Sequence, residues 1–350
     1  MSDAQAKTLS KASPEVSVII PAYNSASFIS VALDSVLAQT FDRFEIIVIN
    51  DGSADTEDLE RELERYAQSV RYITQENLGA AAARNAGLRM ASGELVAFLD
   101  ADDSYLPTFL AKQVALLRTS GADLAHSDAH VFGDPRLEGQ TFMGLQHASG
   151  EATPERLLLI QTCVLTSAVV ARKAPIMDVG CFDESLRRGQ DFDLWFRLSK
   201  AGCRFAYQPE VLVNHKIDDS GLSGGAISKL QRTVNILEFI EARGGLTVSE
   251  KEALQTTVKR TRRDLALETG KEKLLNRDFA GARGNFDEAR KLRSGWKLTL
   301  VSLGLKVAPE MTRRAFQRRE QAWQKRNARH PARAFQSTAG PTGVSSSAAS

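Results

Sequence analysis

The sequence predicts an α/β fold, a mostly parallel sheet covered on both faces, followed by a region of helices alone. Three observations predict it. Short, mainly apolar runs recur at Val16 to Ile20, Ile46 to Ile49, Val70 to Ile73 and Leu95 to Leu99. Between them apolar residues fall about four apart, the spacing of an amphipathic helix. Beyond Ala226 the strand-like runs cease while the helical spacing goes on. Helix and strand alternating over short connections give parallel strands, and strands buried on both faces read as continuous apolar runs.

Taken in order, Val16-Ser17-Val18-Ile19-Ile20 is the first buried strand, bounded by Pro21. Phe28/Ile29, Ala32/Leu33 and Val36/Leu37 mark the first helix, which Ser25 or Ser27 can cap. Ile46 to Ile49 is the second strand, closed by Asn50-Asp51-Gly52-Ser53, residues typical of a turn. Leu59 and Leu63 mark a second helix, and Val70 to Ile73 a third strand. Gly79 to Arg89 is an alanine-rich helix, and Leu95 to Leu99 a fourth strand. From Phe109 to about Ser223 strands and helices mix, with a helix at Asp191 to Lys200. The helical region follows at Leu230 to Ala242, Val248 to Asn276, Phe279 to Leu292 and Glu310 to Arg326. Gly281 to Arg290 resembles part of a tetratricopeptide-type helix pair, but one partial unit makes no repeat array. The expected division is a flexible N-terminus at 1–14, an α/β domain at 15–225, a helical region at 226–332 and a disordered tail at 333–350.

Of 350 residues, 43% are hydrophobic and 25% charged, an ordinary globular balance. A net charge of +2 gives no global field, so nucleic acid is not an expected partner. Lys and Arg nonetheless gather in the last third. Cys163, Cys181 and Cys203 form no CxxC pair, which excludes zinc spacing and fits a reducing, cytoplasmic setting. The polar N-terminus lacks the apolar core of a signal peptide, and no run of about 18 apolar residues reads as a membrane span.

In open α/β sheets ligands bind beyond the carboxyl ends of the strands. Here those ends carry Pro21-Ala22-Tyr23-Asn24, Asn50-Asp51-Gly52-Ser53, Gln75-Glu76-Asn77 and Asp100-Ala101-Asp102-Asp103. The acidic end suits Mg²⁺ or Mn²⁺, which takes one or two carboxylates with substrate phosphates and water. Without a cation, three carboxylates so close repel one another. Asp51 is either a turn aspartate or an acceptor for a base or ribose. Tyr23 is either a core-edge residue or a stacking platform for a nucleobase. Gly79 opens a helix of small residues whose N-terminus favours phosphate. Arg84, one turn in, either meets that phosphate or sits on the surface.

Together, Val18-Ile19-Ile20-Pro21-Ala22-Tyr23-Asn24, Val48-Ile49-Asn50-Asp51-Gly52-Ser53, Asn77-Leu78-Gly79 with Ala83-Arg84-Asn85, and Phe98-Leu99-Asp100-Ala101-Asp102-Asp103 resemble glycosyltransferase family 2. The resemblance covers roughly residues 14–223. It implies a GT-A fold, a Rossmann-like mixed sheet of nucleotide-diphospho-sugar transferases, here with a C-terminal α-helical extension. It implies inverting transfer from a nucleotide-diphosphate sugar, with a UDP-sugar as the default, to the hydroxyl of a glycan or lipid-linked acceptor in cell-surface glycan or polysaccharide synthesis. Pro21, Tyr23, Asn24, Asp51, Asn77, Gly79, Arg84, Asp100 and Ala101 would line the nucleotide-sugar site. Tyr23 and Asp51 would hold the base and Asp100 the ribose or sugar. Asp102 would hold the metal, Mg²⁺ or Mn²⁺, with His215 as a further metal or phosphate contact. Asp191, in Gly189-Gln190-Asp191-Phe192-Asp193-Leu194-Trp195, matches the family's catalytic base, with Gln190 replacing the common Glu. Gly180-Cys181-Phe182-Asp183 resembles a structural turn of the family. The His-to-Ser loop, His215 to Ser220, is two residues longer than the usual pattern.

Two other readings are weighed on the same residues. A nucleotidyltransferase would grip a triphosphate with a glycine- and lysine- or arginine-rich loop after the first strand, and Pro21-Ala22-Tyr23-Asn24-Ser25 has none of these. A non-catalytic partner subunit would not need Asp51, Asp100, Asp102 and Asp191 together. The helical region is expected to serve as a packing or homodimer module, or to rest on the inner face of a membrane through amphipathic Trp296 to Lys306 and the basic residues that follow.

Overall fold

The structure, a computed structural model, describes residues 13–146, 151–217, 225–293 and 295–327. The ends at 1–12 and 328–350, and Asp218 to Ser220 of the His-to-Ser loop, lie outside the described residues. The chain forms two compact units, Met1–Val258 and Lys259–Ser350.

The strands of the first unit are β1 (Val16–Ala22), β2 (Phe44–Asp51), β3 (Val70–Gln75), β4 (Leu95–Phe98), β5 (Ser104–Tyr105), β6 (Leu124–Phe132), β7 (Val169–Arg172) and β8 (Phe205–Lys216). They make one eight-stranded sheet in the order β3-β2-β1-β4-β7-β6-β8-β5. The first four are parallel. β7 runs antiparallel to β4 and β6, β6 is parallel to β8, and β5 is antiparallel to β8. The sheet is therefore the mixed one that the resemblance implies. β1 lies at the centre of the parallel part and runs on through Pro21, which pairs with Ile49. So close to the strand end, the missing proline N–H forgoes one ladder bond at most.

The helices of this unit are α1 (Ile29–Leu37), α2 (Thr56–Leu63), α3 (Ala80–Met90), α4 (Phe109–Ser120), α5 (Phe142–Gln146), α6 (Pro154–Leu158), α7 (Lys173–Asp178), α8 (Gln190–Lys200) and α9 (Ala226–Arg243). Alternation along β1 divides the core. Val16, Val18 and Ile20 pack with Ala32 and Leu33 of α1, Leu59 of α2 and Phe109 of α4. Ile19 faces the other layer, with Ala83 of α3, Ile176 of α7, and Leu194 and Trp195 of α8. No side chain caps α1, contrary to the expectation for Ser25 or Ser27. The Ser25 carbonyl does that work instead, accepting from the Phe28 and Ile29 N–H groups.

The sequence divides at 225/226, yet the compact unit continues to Val258. Ile236, Leu237 and Ile240 of α9 share a buried cluster with Phe196 of α8, and with Ala253, Leu254 and Val258 at the start of α10 (Val248–Leu275). The second unit contains the rest of α10, α11 (Phe279–Leu292), α12 (Trp296–Val307) and α13 (Pro309–Asn327). Its core is Leu274, Ala282, Phe286 and Leu305. The Asp278 side chain caps α11 by accepting from the Gly281 N–H.

Candidate active site

The ends of β1 and β2 are tied to each other before any ligand is considered. The Asn24 backbone N–H donates to the Ser53 hydroxyl at 3.1 Å, and the Asn24 side-chain Oδ1 accepts from the Ala54 N–H at 2.9 Å. Asp55 accepts from the Ala26 N–H at 2.9 Å. Asn24 adopts a φ of 50°, a left-handed conformation that asparagine tolerates better than most. This knot leaves Tyr23 outside, 53% exposed, so it is no core-edge residue. Gly52 has a φ of +66°, and a Cβ there would lie 2.6 Å from the Asn77 nitrogen. Asn77 thus packs directly on the β2 turn.

Asp51 ends β2 and is 4% exposed. Its carboxylate accepts from the Gln75 side-chain amide (2.7 Å) and from the N–H groups of Leu78 (3.0 Å) and Gly79 (2.8 Å). It therefore fixes the loop that delivers the N-terminus of α3. Gly79 takes a φ of 95°, and the Nη1 of Arg187 lies 3.4 Å from where its Cβ would be. Arg187 is exposed, and among the described residues it has no hydrogen-bond or ion-pair partner. Nothing in the sequence spacing tied this arginine to Gly79.

Arg84 is not on the surface. Its side chain is 6% exposed and pairs with Asp100 at 2.5 Å, with the guanidinium 5.6 Å from the Phe182 ring centre. Nε and Nη1 are buried without a hydrogen-bond partner. Such orphaned donors are costly, and an anionic ligand would relieve them. The neighbouring Asn85 clamps the Phe182 backbone from both sides, donating to its carbonyl and accepting from its N–H.

The acidic strand end divides into three roles. Asp100 faces Arg84, and Ala101 is buried. Asp103 is 1% exposed and accepts from the Lys216 N–H (2.9 Å), with His215 Nδ1 3.0 Å from its carboxylate. The two-residue strand β5 makes this meeting: it pairs Ser104 with Asn214, which brings Asp103 beside His215. Burial alone would lower the His215 pKa, but the hydrogen bond and charge of Asp103, with Asp100 and Asp102 adding, raise it. Nδ1 is thus engaged, which leaves Nε2 as the nitrogen open to a ligand. Asp102 alone has a carboxylate not taken up by a side-chain hydrogen bond among the described residues. Burial and the charges of Asp103 and Asp100 push its carboxyl up to about 6. Among the described residues no three His, Cys, Asp or Glu side chains gather into a cation cage. One free carboxylate fits a hard divalent cation shared with substrate phosphates rather than one held by protein alone.

Asp191 is the second residue of α8, one residue after the buried Gln190. One of its carboxylate oxygens accepts from the Phe192 N–H at 2.8 Å, the other from the Thr166 hydroxyl at 3.3 Å. The next residue, Ser167, accepts through its hydroxyl from the Asp100 N–H at 3.1 Å. Adjacent residues of one turn before β7 therefore link Asp191 to the acidic strand end. Thr166 and Ser167 carried no signal in the sequence beyond small polar residues before an apolar run. The Gln190 Oε1 is buried without a partner. Below it, Asp193 is fully buried and pairs with Arg197 (2.8 Å) and with Arg243 of α9 (2.5 Å). Arg197 also donates to the carbonyls of Val179 and Cys181, which holds the Gly180-Cys181-Phe182-Asp183 turn against α8.

Residues 17–172 match the profile of Glycosyl transferase family 2. An uncharacterized glycosyltransferase of Rickettsia typhi is 33% identical over 63% of this chain and 69% of its own length. The amylovoran biosynthesis glycosyltransferase AmsB of Erwinia amylovora is 31% identical over 57% and 68%. An uncharacterized glycosyltransferase of Rickettsia felis is 33% identical, but the chain spans only 31% of it. Among solved structures, the mannosyltransferase PcManGT of Pyrobaculum calidifontis, in complex with GDP-Man and Mn²⁺, superimposes with a TM-score of 0.58 at 20% identity, over 87% of this chain and 85% of that one. TarS 1–349 of S. aureus, in complex with UDP, gives 0.53 at 19%, over 88% and 91%. At such identities these structures speak for the fold, and they share the curled mixed sheet. Sequence, profile and fold agree: the chain belongs to glycosyl transferase family 2 and is a glycosyltransferase of the GT-A fold.

Proposed function

We propose that this chain is an inverting transferase that moves a sugar from a nucleoside diphosphate to an acceptor hydroxyl, with Asp191 as the base. The observation that carries the reading is the Thr166-Ser167 link. It holds a carboxylate at the start of α8 in fixed relation to Asp100 at the end of the parallel strands, where nucleotides bind in such sheets. Tyr23 would stack on the base and Asp51 would hold it, together with the Asn77 to Gly79 loop it anchors. Asp100 would meet the ribose or sugar, and Arg84 the diphosphate, with the N-terminus of α3 adding its dipole.

In the reaction the acceptor oxygen attacks the anomeric carbon while Asp191 takes its proton. The bond from that carbon to the diphosphate oxygen breaks, so configuration inverts in a single displacement. Arg84 stabilises the charge left on the diphosphate. Asp102, with His215 through Nε2, would hold Mg²⁺ or Mn²⁺, which when bound supplies further charge neutralisation there. The Mn²⁺ complex of the Pyrobaculum neighbour supports this cofactor. UDP and UDP-GlcNAc in TarS and GDP-Man in the Pyrobaculum enzyme are the ligands seen in its neighbours, and a UDP-sugar is the first choice. The Erwinia relative, named for amylovoran biosynthesis, supports a role in glycan or polysaccharide synthesis, on a glycan or lipid-linked acceptor.

Thermal-shift measurements with UDP- and GDP-sugars should show stabilisation that grows with Mn²⁺, because ligands that bind only the folded state raise its apparent stability. Asp191→Asn should keep that shift and lose transfer by about 100-fold or more. Near-normal transfer by the variant would sink the base assignment. No shift with any sugar nucleotide would sink the nucleotide site.

A further inference from the structure

α12 is apolar on two opposite faces. Leu298, Val301 and Leu305 turn inward onto Leu274 and Phe286, which accounts for one face. Trp296, Leu300, Leu303 and Val307 form the other, spaced four, three and four apart, which is a single stripe on a helix of 3.6 residues per turn. All four are exposed, Trp296 at 70% and Val307 at 74%, and Met311 at 73% extends the patch onto α13. Among the described residues nothing covers this stripe. Scattered exposed leucines need no explanation, but a contiguous apolar row marks a docking surface.

We propose that this outer face of α12 docks on an anionic membrane surface, lying in the plane of the headgroups. The charge around it selects that occupant. On the helical wheel Lys297 and Lys306 flank the stripe on opposite sides, where their stems can run along the apolar surface while the ammonium groups reach phosphate. From Arg290 to Arg319 the chain has nine Lys and Arg against one acidic residue, Glu310. The whole second unit has 21 Lys and Arg against 8 Asp and Glu, while the first has 24 against 35. Basic charge is therefore concentrated in the unit that carries the stripe. A second copy of the chain is the poorer occupant, since packing stripe on stripe would set both lysine rows against each other. Trp296, with an apolar ring and a polar N–H, suits the boundary between headgroup and acyl chain. No described helix is long and apolar enough to cross a membrane, so the contact is one of surface attachment.

Sedimentation of the full chain with vesicles tests this, and it reads attachment independently of sugar transfer. The chain should pellet with vesicles of phosphatidylcholine and phosphatidylglycerol, remain in solution with phosphatidylcholine alone, and be released by added salt. The Leu300→Glu, Leu303→Glu variant should lose vesicle partitioning by about tenfold or more while its circular dichroism stays unchanged, since both side chains already face solvent. Lys297→Gln and Lys306→Gln should each reduce partitioning by about fivefold. Equal recovery in all pellets, or binding unchanged in the Leu300/Leu303 variant, would overturn the proposal. So would a concentration-dependent dimer of the wild type that this variant abolishes, because the stripe would then belong to a second copy.

Discussion

His126 shows what one buried side chain does to the pH dependence of stability. It lies in β6, is 1% exposed, and packs its ring 5.0 Å from that of Tyr207. Its Nδ1 has no hydrogen-bond partner. Burial pushes its pKa down from 6.5 to about 4. The folded chain thus refuses a proton that the unfolded chain accepts between those values. Stability is complete above pH 6.5, falls as the pH drops towards 4, and changes no further below that on account of this residue. The loss amounts to about 3 kcal/mol at most. Thermal unfolding of wild type and His126→Phe across this range should show a steep acid slope in the first and a shallower one in the second. Parallel slopes would exclude His126 as the source. Gln190 is a second residue whose environment says more than its type. Its buried, unpartnered Oε1 beside Asp191 stands where the family commonly has a carboxylate, so the proposed base would work here without that neighbouring negative charge.

At the scale of elements, the distance between helix and sheet is set by Gly87. A Cβ there would lie 2.4 Å from the Ile19 Cγ2 and 3.0 Å from the Ile49 Cδ1, so α3 rests on β1 and β2 at its glycine. Gly87→Ala gains about 1 kcal/mol in helix propensity but forces two fully buried isoleucines aside, at about 2 to 3 kcal/mol. The clash wins, and a net loss of about 1 to 2 kcal/mol is expected in denaturant unfolding. Gly284→Ala, in α11 with nothing within 4 Å of the added carbon, should instead stabilise. Equal signs for the two variants would contradict this packing. These elements also show what the sequence disclosed. Apolar runs located β1, β2 and β4, because strands buried on both faces leave a continuous signature, while the half-exposed edge strand β3 showed only the interrupted run Val70 to Ile73. The four polar clusters at their ends marked the residues proposed for the nucleotide. β5 escaped notice, since two residues leave no period, and with it the pairing of Asp103 with His215. Asp193 drew no role from the sequence, yet it is fully buried between Arg197 and Arg243. Those partners lie 4 and 50 residues away, and only tertiary packing brings the second into reach.

For the whole molecule, the near-neutral total conceals two units of opposite sign. The first carries 35 acidic against 24 basic residues, the second 8 against 21. Net charge alone argued against nucleic acid as a partner, and that total hides the basic second unit. The membrane proposal belongs at this scale, because an anionic surface attracts the basic second unit and repels the acidic first one. Salt should therefore weaken attachment, which vesicle sedimentation at rising ionic strength reads directly.

The hydrogen-bonded knot at the ends of β1 and β2 has a kinetic consequence. Loop amides ordinarily exchange with solvent quickly. Those of Asn24, Ala26, Leu78 and Gly79 are each bound to a side chain from a neighbouring strand end. In deuterated buffer, without nucleotide, they should exchange as slowly as the amides of β1 itself. A floor already closed in this way has little disorder left to lose when a substrate arrives. If these four amides exchanged like open loop, and slowed only on adding nucleotide, the floor would be assembled by its ligand rather than waiting for it.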